Sequence, residues 1–229
     1  MKTAQKLLLP FALTLAIAAC SQPAAPNADA DAAAEAAATA AAATSEAAAP
    51  AVEAVKAASG TYVLDPTHTD VLVQWSHFGF SHPSAHFGIS EGSLVYNAED
   101  VSKSSVEVSI PVTAIDTFVP KLDEHLKSAD FFDAGKFPTA SFKSTKVEAT
   151  GTNHLTVSGE LTIKDKTAPV SLDVTLTGGG EHPMSKQQAI GFTATTTLKR
   201  SDFGVDAYAP NVSDEVDVRI TTEGAIDAK

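Results

Sequence analysis

The chain has 229 residues, of which 16 are basic and 28 acidic, giving a formal net charge of −12 at pH 7. Beyond Ser59 there are 13 basic and 23 acidic residues with no basic run, which excludes nucleic acid as a partner and disfavours charge-driven binding to anionic lipid. A single cysteine excludes an internal disulfide.

The first 19 residues have the features of a secretory signal peptide. Lys2 and Lys6 form a short positive region, and residues 7–19 are almost entirely apolar. A bilayer-spanning helix needs about 20 apolar residues, so this shorter segment is predicted to be cleaved.

The segment ends in Ile17-Ala18-Ala19-Cys20, which resembles the lipobox of bacterial lipoproteins. The resemblance implies that the thiolate of Cys20 receives a diacylglycerol and anchors the chain, with palmitate as a typical acyl group. Ser21 is similar to a signal for sorting to the outer membrane. We therefore expect a lipid-anchored protein of the cell envelope that faces the periplasm. The alternative is a soluble secreted protein with an ordinary cleavage site and an incidental cysteine.

Residues 20–59 are predicted to form a flexible, disordered tether. They are dominated by alanine, with scattered proline and acidic residues, and have no apolar periodicity that would define a buried face. As a flexible coil the tether has a root-mean-square span of about 35 Å. The remaining residues, 60–229, have the size of one domain.

The domain alternates apolar and polar residues with a period of two, which predicts β-strands with one wet face. Such strands are predicted over residues 105–110, 155–164, 170–177, 190–198 and 215–220. Turn-forming residues cluster at 97–100, 151–153 and 178–180. One segment, 119–128, instead carries Val119, Leu122 and Leu126 at helical spacing and predicts a short helix across one end of the sheet.

These elements predict an all-β fold, either an antiparallel barrel or a sandwich. A barrel of about eight strands can hold one small ligand inside, because its side chains alternate between the interior and solvent. Periodicity alone does not separate a lipid cavity from a core filled by side chains.

Four ordered sequence blocks carry a family resemblance. They read LDPTHT at 64–69 with HFGFS at 77–81, HLKSADFFD at 125–133 with KFPTASFKS at 136–144, LTIK at 161–164, and KRSDFG at 199–204. The domain thereby resembles the YceI-like family. The resemblance implies a lipocalin-like antiparallel barrel that binds a long isoprenoid lipid of the prenyl phosphate or isoprenoid quinone type.

The sequence departs from the family between His77 and Phe87. The family commonly carries an arginine and a glycine there, whereas this chain reads Pro83-Ser84-Ala85-His86. A basic residue that could neutralise a head group is therefore missing or replaced by histidine, which favours a less charged ligand than a prenyl pyrophosphate.

Aromatic and aliphatic side chains supply the candidate lipid site. The alternation of β-structure places Val71, Val73 and Trp75 inward, and His77 with them at the mouth of the barrel. An equally weighted alternative is that His77 is hydrogen-bonded to the backbone for structural reasons. The candidate ligand-binding residues are Val71, Val73, Trp75, His77, Phe80, Phe87, Phe131, Phe142, Leu172 and Phe192.

Other polar residues are interpreted as structural. His77, His82 and His86 do not share one strand face, with His86 in a loop-like position, so we expect no metal and no cofactor other than bound lipid. Arg200 and Asp202 are predicted to form a turn and an ion pair.

Asp123 and His125 suggest a dyad, but no serine elbow, oxyanion-hole motif or phosphate loop accompanies them. We therefore expect no enzyme and no catalytic residue.

The leading hypothesis is a membrane-tethered periplasmic protein that holds or shuttles an isoprenoid lipid. The alternative is an envelope structural or stress protein whose barrel is filled by side chains, and an enzyme acting on a lipid head group comes third. The expected partners are the lipid and the membrane that holds the acyl anchor. The sequence is also compatible with a homodimer.

Overall fold

The computed structural model describes residues 52–226, and its strands follow from the alternation of apolar and polar side chains. The segments are β1 (Gly60–Leu64), β2 (Asp70–His77), β3 (Ser84–Phe87), β4 (Glu91–Tyr96), β5 (Ser105–Pro111), β6 (Thr139–Gly151), β7 (His154–Ile163), β8 (Lys166–Glu181), β9 (Gln188–Lys199) and β10 (Val212–Ile226). Helix α1 (Pro120–Lys127) lies between β5 and β6. The predicted signal peptide, Cys20 and most of the predicted tether lie outside the described residues.

The ten segments make a closed antiparallel barrel of eight strands. Both β1 and β2 pair with β10 on one side. On the other side, β1 pairs with β4 and β2 pairs with β3. Segments β1 and β2 therefore form one interrupted strand, and β3 and β4 form another. The pairing of β1 with β10 closes the barrel. The all-β, eight-stranded barrel expected from the sequence is confirmed.

The five predicted strands correspond to β5, β7, β8, β9 and β10. The predicted turn at 151–153 is also confirmed, because Gly151 pairs with His154 and Asn153 adopts a left-handed backbone with φ of 63°. The predicted turn at 97–100 is formed as well, where the Asn97 side-chain oxygen accepts hydrogen bonds from two backbone N–H groups.

The turn predicted at 178–180 is wrong, since β8 continues through these glycines, which pair with β9 after a register shift between Leu176 and Gly178. Gly179 allows the segment before β1 to approach the strand closely, because a Cβ atom on Gly179 would lie 2.8 Å from the Cβ of Ala57 and 3.0 Å from Cγ1 of Val55. The segment before β1 thus packs directly on the backbone of β8.

Residues 53–58 are held at one end of the barrel. The Val55 N–H donates to Oδ1 of Asn153 (2.7 Å), and Nδ2 of Asn153 donates to the Glu53 carbonyl (2.8 Å). The folded part of the chain therefore extends a few residues before the predicted boundary at 60. The other end of the described chain lies at this same end of the barrel, since Ile226 pairs with Tyr62 near the start of β1.

Helix α1 lies across the opposite end of the barrel, as the sequence predicted. Leu122, His125 and Leu126 face the barrel interior, while the Asp123 carboxylate accepts hydrogen bonds from the N–H (2.8 Å) and hydroxyl (2.6 Å) of Thr117. These bonds fix the entry into the helix. No helix of the described residues is long and apolar enough to cross a membrane.

A single cluster of buried apolar side chains, with Tyr62 and Ile190 among its members, joins the strands, and the partly buried side chains of β5 pack against it. Because residues 52–226 form a closed barrel with its own core, the compact unit that contains them, residues 48–229, is expected to fold as an independent domain.

Candidate functional site

The barrel interior holds a cavity of about 530 Å³. Its wall consists almost entirely of aliphatic and aromatic side chains that the strands point inward. The formally charged side chain in this wall is that of Arg200, and no lysine, aspartate or glutamate of residues 52–226 contributes to it. The cavity is therefore suited to an apolar ligand.

The structure brings nearly all of the sequence-predicted binding residues to this wall. Those that line the cavity are Val71, Val73, Trp75, His77, Phe87, Phe131, Phe142, Leu172 and Phe192. Their interior placement follows from strand alternation on β2, β3, β6, β8 and β9, and from the segment after α1 in the case of Phe131.

Phe80 is the exception, and its predicted place in the cavity is wrong. The N–H of His77 donates to the Ser81 carbonyl (2.9 Å), which closes a tight turn immediately after β2. Phe78 and Gly79 take left-handed backbone conformations in this turn, so the alternation does not continue past His77. Phe80 is consequently 92% exposed, and Phe78 lines the cavity edge in its place.

His77 lies at the mouth of the cavity, with its side chain exposed and lining the edge. Its ring packs edge-on against that of Phe78, with the ring centroids 4.7 Å apart. Within residues 52–226 only its backbone takes part in hydrogen bonds, so the structural alternative of a ring bonded to the backbone is not supported there.

Two further polar side chains face the mouth, and sequence reasoning missed them as lining residues. His125 on α1 packs edge-on against Phe131 (4.9 Å between ring centroids) and faces Tyr208 at 6.1 Å. Both line the cavity. Asp123 is bound to Thr117 instead, and so acts as a structural group at the start of the helix and not as the partner of His125 in a dyad.

Arg200 organises the loop between β9 and β10. Its Nε donates to the carbonyl of Ser213 (2.8 Å), and its terminal nitrogens donate to the carbonyls of Val205, Ala207 (2.9 Å) and Val212 (2.8 Å). The predicted turn at Arg200 is confirmed, but the predicted ion pair with Asp202 is wrong because the guanidinium binds these four carbonyls.

The charge of Arg200 is balanced at longer range. Burial lowers the pKa of its guanidinium, while Asp214 and Asp206 act in the opposite direction. The pKa of the Asp214 carboxyl is itself lowered, chiefly by the hydrogen bond from the Ser201 hydroxyl (2.7 Å). The negative charges of Asp206 and Asp214 therefore offset part of the cost of burying the Arg200 guanidinium.

The histidines considered as metal ligands do not converge. His86 lies on β3 and not in a loop, and its Nδ1 is 3.0 Å from Oδ1 of Asp70. Within the described chain the three side chains that meet with ligand-like geometry are Asp65 and His68, in the β1–β2 connection, and Glu223 on β10. Nδ1 of His68 is 2.7 Å from Oδ2 of Asp65, so an ion pair accounts for this group.

Comparison with known proteins points to one family. A family model described as a YceI-like domain matches residues 62–224. A UPF0312 protein of Vibrio cholerae is 34% identical over 170 residues, 73% of this chain and 88% of the relative. A UPF0312 protein of Shewanella baltica is 32% identical over the same shares of the two chains.

Solved structures share the barrel. BcnA of Burkholderia cenocepacia superposes with a TM-score of 0.63 at 24% identity, covering 70% of this chain and 98% of its own. A polyisoprenoid binding domain from Saccharophagus degradans gives a TM-score of 0.55 at 14% identity, covering 72% and 98%. At these identities the likeness establishes the fold.

Proposed function

Because this chain belongs to the YceI-like family, we propose that it binds a long-chain isoprenoid lipid inside its barrel. The observation that carries the proposal is the apolar cavity of about 530 Å³, which lies within the range of about 300–1,000 Å³ of ligand pockets. The description of the Saccharophagus degradans neighbour as a polyisoprenoid binding domain supports the same ligand class.

The cavity also favours a binding barrel over the alternative of a barrel filled by side chains. Protein interiors are close-packed, and voids larger than a water molecule are few. A space of this size, bordered by Trp75, Leu172 and Phe192, exceeds such packing defects and supports a bound molecule.

The energetics of a lipid tail fit a carrier or reservoir. Burial of a methylene group away from water is worth about 0.8 kcal/mol, but a bilayer provides the same gain. Transfer of the tail from membrane to barrel is therefore nearly neutral. Head-group contacts and the cost of ordering the chain decide occupancy, so binding is expected to be reversible.

The mouth favours a neutral polar head group over a pyrophosphate. His77, His125 and Tyr208 can exchange hydrogen bonds with a carbonyl or hydroxyl oxygen. The cation in the wall, Arg200, already donates to four backbone carbonyls and is not free to neutralise a phosphate. We infer that an isoprenoid quinone suits this mouth better than a prenyl phosphate.

Extraction of the purified chain followed by lipid mass spectrometry tests the proposal. We expect an isoprenoid lipid to copurify, or menaquinone-4 to quench the fluorescence of Trp75, the single tryptophan of the chain. Undecaprenyl phosphate serves as the charged competitor. A cavity that is empty after mild purification and takes up neither lipid would contradict it.

We further propose that the protein is tethered through Cys20 to an envelope membrane and faces the periplasm. The lipobox-like residues 17–20 and the preceding apolar segment support this location. Cys20→Ser should abolish acylation and retention in the outer-membrane fraction while leaving lipid binding intact. Unchanged retention in that variant would contradict the anchor.

A non-catalytic role and a homodimer belong to the same proposal. The hydrogen bond from Thr117 to Asp123 supports binding without turnover. Recovery of intact lipid after prolonged incubation with the protein would check this.

Analytical ultracentrifugation of residues 48–229 tests the homodimer, and a single monomer boundary at all concentrations would contradict it.

A further inference from the structure

Apolar side chains project into solvent at the end of the barrel that α1 covers. We call them the aromatic rim, and they are Phe78, Phe80, Phe118, Val119 and Tyr208. All five are at least half exposed, with Phe80 at 92% and Phe118 at 74%. Side chains of this size are usually buried, so a group of them at one end of a barrel calls for a functional explanation.

The rim residues come from separate loops that the structure ties together. The Phe78 N–H donates to the Asn211 carbonyl (2.8 Å), which joins the β2–β3 loop to the loop that contains Tyr208. His86 and Asp116 exchange two backbone hydrogen bonds, which joins β3 to the loop that contains Phe118. These hydrogen bonds join loops that are distant in the sequence at the end of the barrel that α1 covers.

The rim is continuous with the cavity. Phe78 and Tyr208 belong both to the exposed rim and to the cavity wall, and Tyr208 faces Phe131 deeper inside, at 6.1 Å between ring centroids. An apolar path through Phe78, Tyr208 and Phe131 therefore leads from the exposed rim to the interior.

Three rim residues have backbone conformations that bulky side chains rarely adopt. Phe78, Phe118 and Tyr208 have φ values of 52°, 61° and 64°. The Phe118 conformation is held by a hydrogen bond from its N–H to Oδ1 of Asp116 (2.7 Å). Left-handed bulky residues cost free energy and concentrate at ligand clamps and switch regions. Three of the five rim residues therefore have strained backbones.

The net charge is distributed unevenly along the barrel axis. The loops of the rim end, at 78–83, 112–138, 164–166 and 199–211, carry 7 basic and 8 acidic residues, a net charge of −1. The rest of residues 52–226 carries 6 basic and 15 acidic residues, a net charge of −9. Approach to an anionic surface is therefore least unfavourable with the rim first.

We propose that the aromatic rim is a membrane-docking surface, through which the barrel rests mouth-first on a lipid bilayer. Aromatic side chains are favoured at the level of the lipid head groups, and the nearly neutral rim end avoids the repulsion of the acidic wall. A lipid tail then passes from bilayer to cavity along apolar surface. This inference rests on the proposed function, since it supplies the route of its ligand.

Vesicle flotation tests the rim with residues 48–229, which carry no acyl anchor. The chain should float with phosphatidylcholine vesicles and with vesicles that also contain phosphatidylglycerol. The double variant Phe80→Ser with Phe118→Asn should bind both kinds of vesicle at least about tenfold more weakly, because two interfacial rings are lost. Neither residue lines the cavity, and asparagine tolerates the left-handed backbone at position 118.

A matched control removes an exposed apolar side chain elsewhere. Met184 is 87% exposed in the β8–β9 loop, at the end opposite the rim. Met184→Ser should bind vesicles like the unmodified chain, and thermal unfolding should show that both variants are folded. Equal vesicle binding by the rim variant and the unmodified chain would overturn the proposal. Equal loss in the Met184 control, or no flotation of the unmodified chain, would overturn it as well.

Lipid delivery separates the rim from the cavity. Quenching of Trp75 by menaquinone-4 from a cyclodextrin complex should be unchanged in the rim variant. Its rate with menaquinone-4 supplied in vesicles should fall by about tenfold, in line with weaker docking. Equal rates would overturn the docking route. If the unmodified chain floats but takes up lipid from neither source, the proposed function fails while the docking surface stands.

Discussion

Leu172 and Ser171 are neighbours on β8 that point to opposite faces of the barrel. Leu172 lines the cavity, whereas Ser171 is exposed, with its hydroxyl 3.0 Å from that of Ser158. The pair allows the cavity to be altered without altering the strand.

Leu172→Gln should weaken uptake of menaquinone-4 by about tenfold or more, because a polar group buried without a partner costs about 1–3 kcal/mol. Quenching of Trp75 measures uptake. Ser171→Gln places the same side chain on the outer face and should leave uptake unchanged. A similar loss in both variants would show that the effect comes from the strand and not from the cavity.

Asp65 and His68 form an ionic contact in which the pKa values of both partners are shifted. Hydrogen bonds from the His68 ring and then from Thr67 lower the pKa of the Asp65 carboxyl to about 2. The hydrogen bond to Asp65 raises the pKa of His68 in return. The His68 contribution to stability is therefore full below about pH 6.5 and is lost as the pH rises through its raised pKa. The Asp65 contribution is present above about pH 3.9 and is lost as the pH falls towards 2.

Asp65→Asn should return the pKa of His68 towards its ordinary value, because the asparagine offers no negative charge to the protonated ring. NMR titration of the His68 ring measures this change. Asp100→Asn removes a carboxylate that pairs with Lys103 elsewhere on the surface and serves as the control. A His68 titration unaffected by Asp65→Asn would contradict the pairing.

At the scale of elements, Gly179 explains why a glycine run lies within a strand. Gly179→Ala should displace residues 53–58, because its Cβ would lie 2.8 Å from that of Ala57. We expect faster hydrogen exchange at the Val55 amide and a loss of about 1–3 kcal/mol in the free energy of unfolding. Gly178→Ala is the matched control, since a Cβ there meets no atom within 4 Å. Equal exchange in both variants would contradict the packing account.

The loop between β9 and β10 depends on the shape of Arg200. Arg200→Lys should lower the free energy of unfolding by about 2–4 kcal/mol, because an ammonium group cannot serve four carbonyls in a fixed plane. Urea denaturation measures the change, with Arg219→Lys on the exposed face of β10 as the control. Full stability in Arg200→Lys would mean that charge alone holds the loop.

Elements were predictable from the sequence where the alternation was long and regular, as in β7 and β9. β6 was missed because register shifts after Ser144 and after Ala149 break its period of two. β3 was missed because four residues after Pro83 are too few to define a period. The glycines at 178–180 were wrongly predicted to form a turn, because the reason for them is a tertiary contact with Val55 and Ala57 that the local sequence does not reveal.

The cavity-lining residues were predictable wherever they lie on a strand with alternating inward and outward side chains. Val71, Val73, Trp75 and His77 follow this alternation to the end of β2, and Phe80 fails one turn beyond. His125, Tyr208 and the rim could not be predicted, because their positions depend on how loops distant in sequence meet around the mouth. Whether the interior is filled was equally beyond the pattern, since it depends on summed side-chain volumes.

At the scale of the whole molecule, an unfilled interior has a thermodynamic consequence. A ligand that binds the folded barrel alone raises its free energy of unfolding by about 2.7 kcal/mol when its concentration is a hundred times Kd. Menaquinone-4 should therefore raise the urea midpoint of residues 48–229, and to a smaller extent that of Leu172→Gln. No shift at saturating lipid would favour the barrel that its own side chains fill.

The two ends of residues 52–226 lie opposite the rim, which has a practical consequence. Glu53 and Val55 bind Asn153 in the β6–β7 turn, and Ile226 pairs with Tyr62, so both ends of residues 52–226 lie at the end of the barrel away from the mouth. A sensor chip that captures the domain through a tag at either terminus would present the opening to the flowing solution. Captured molecules would share one orientation, and vesicles or lipid carriers could be passed over them without obstruction by the support.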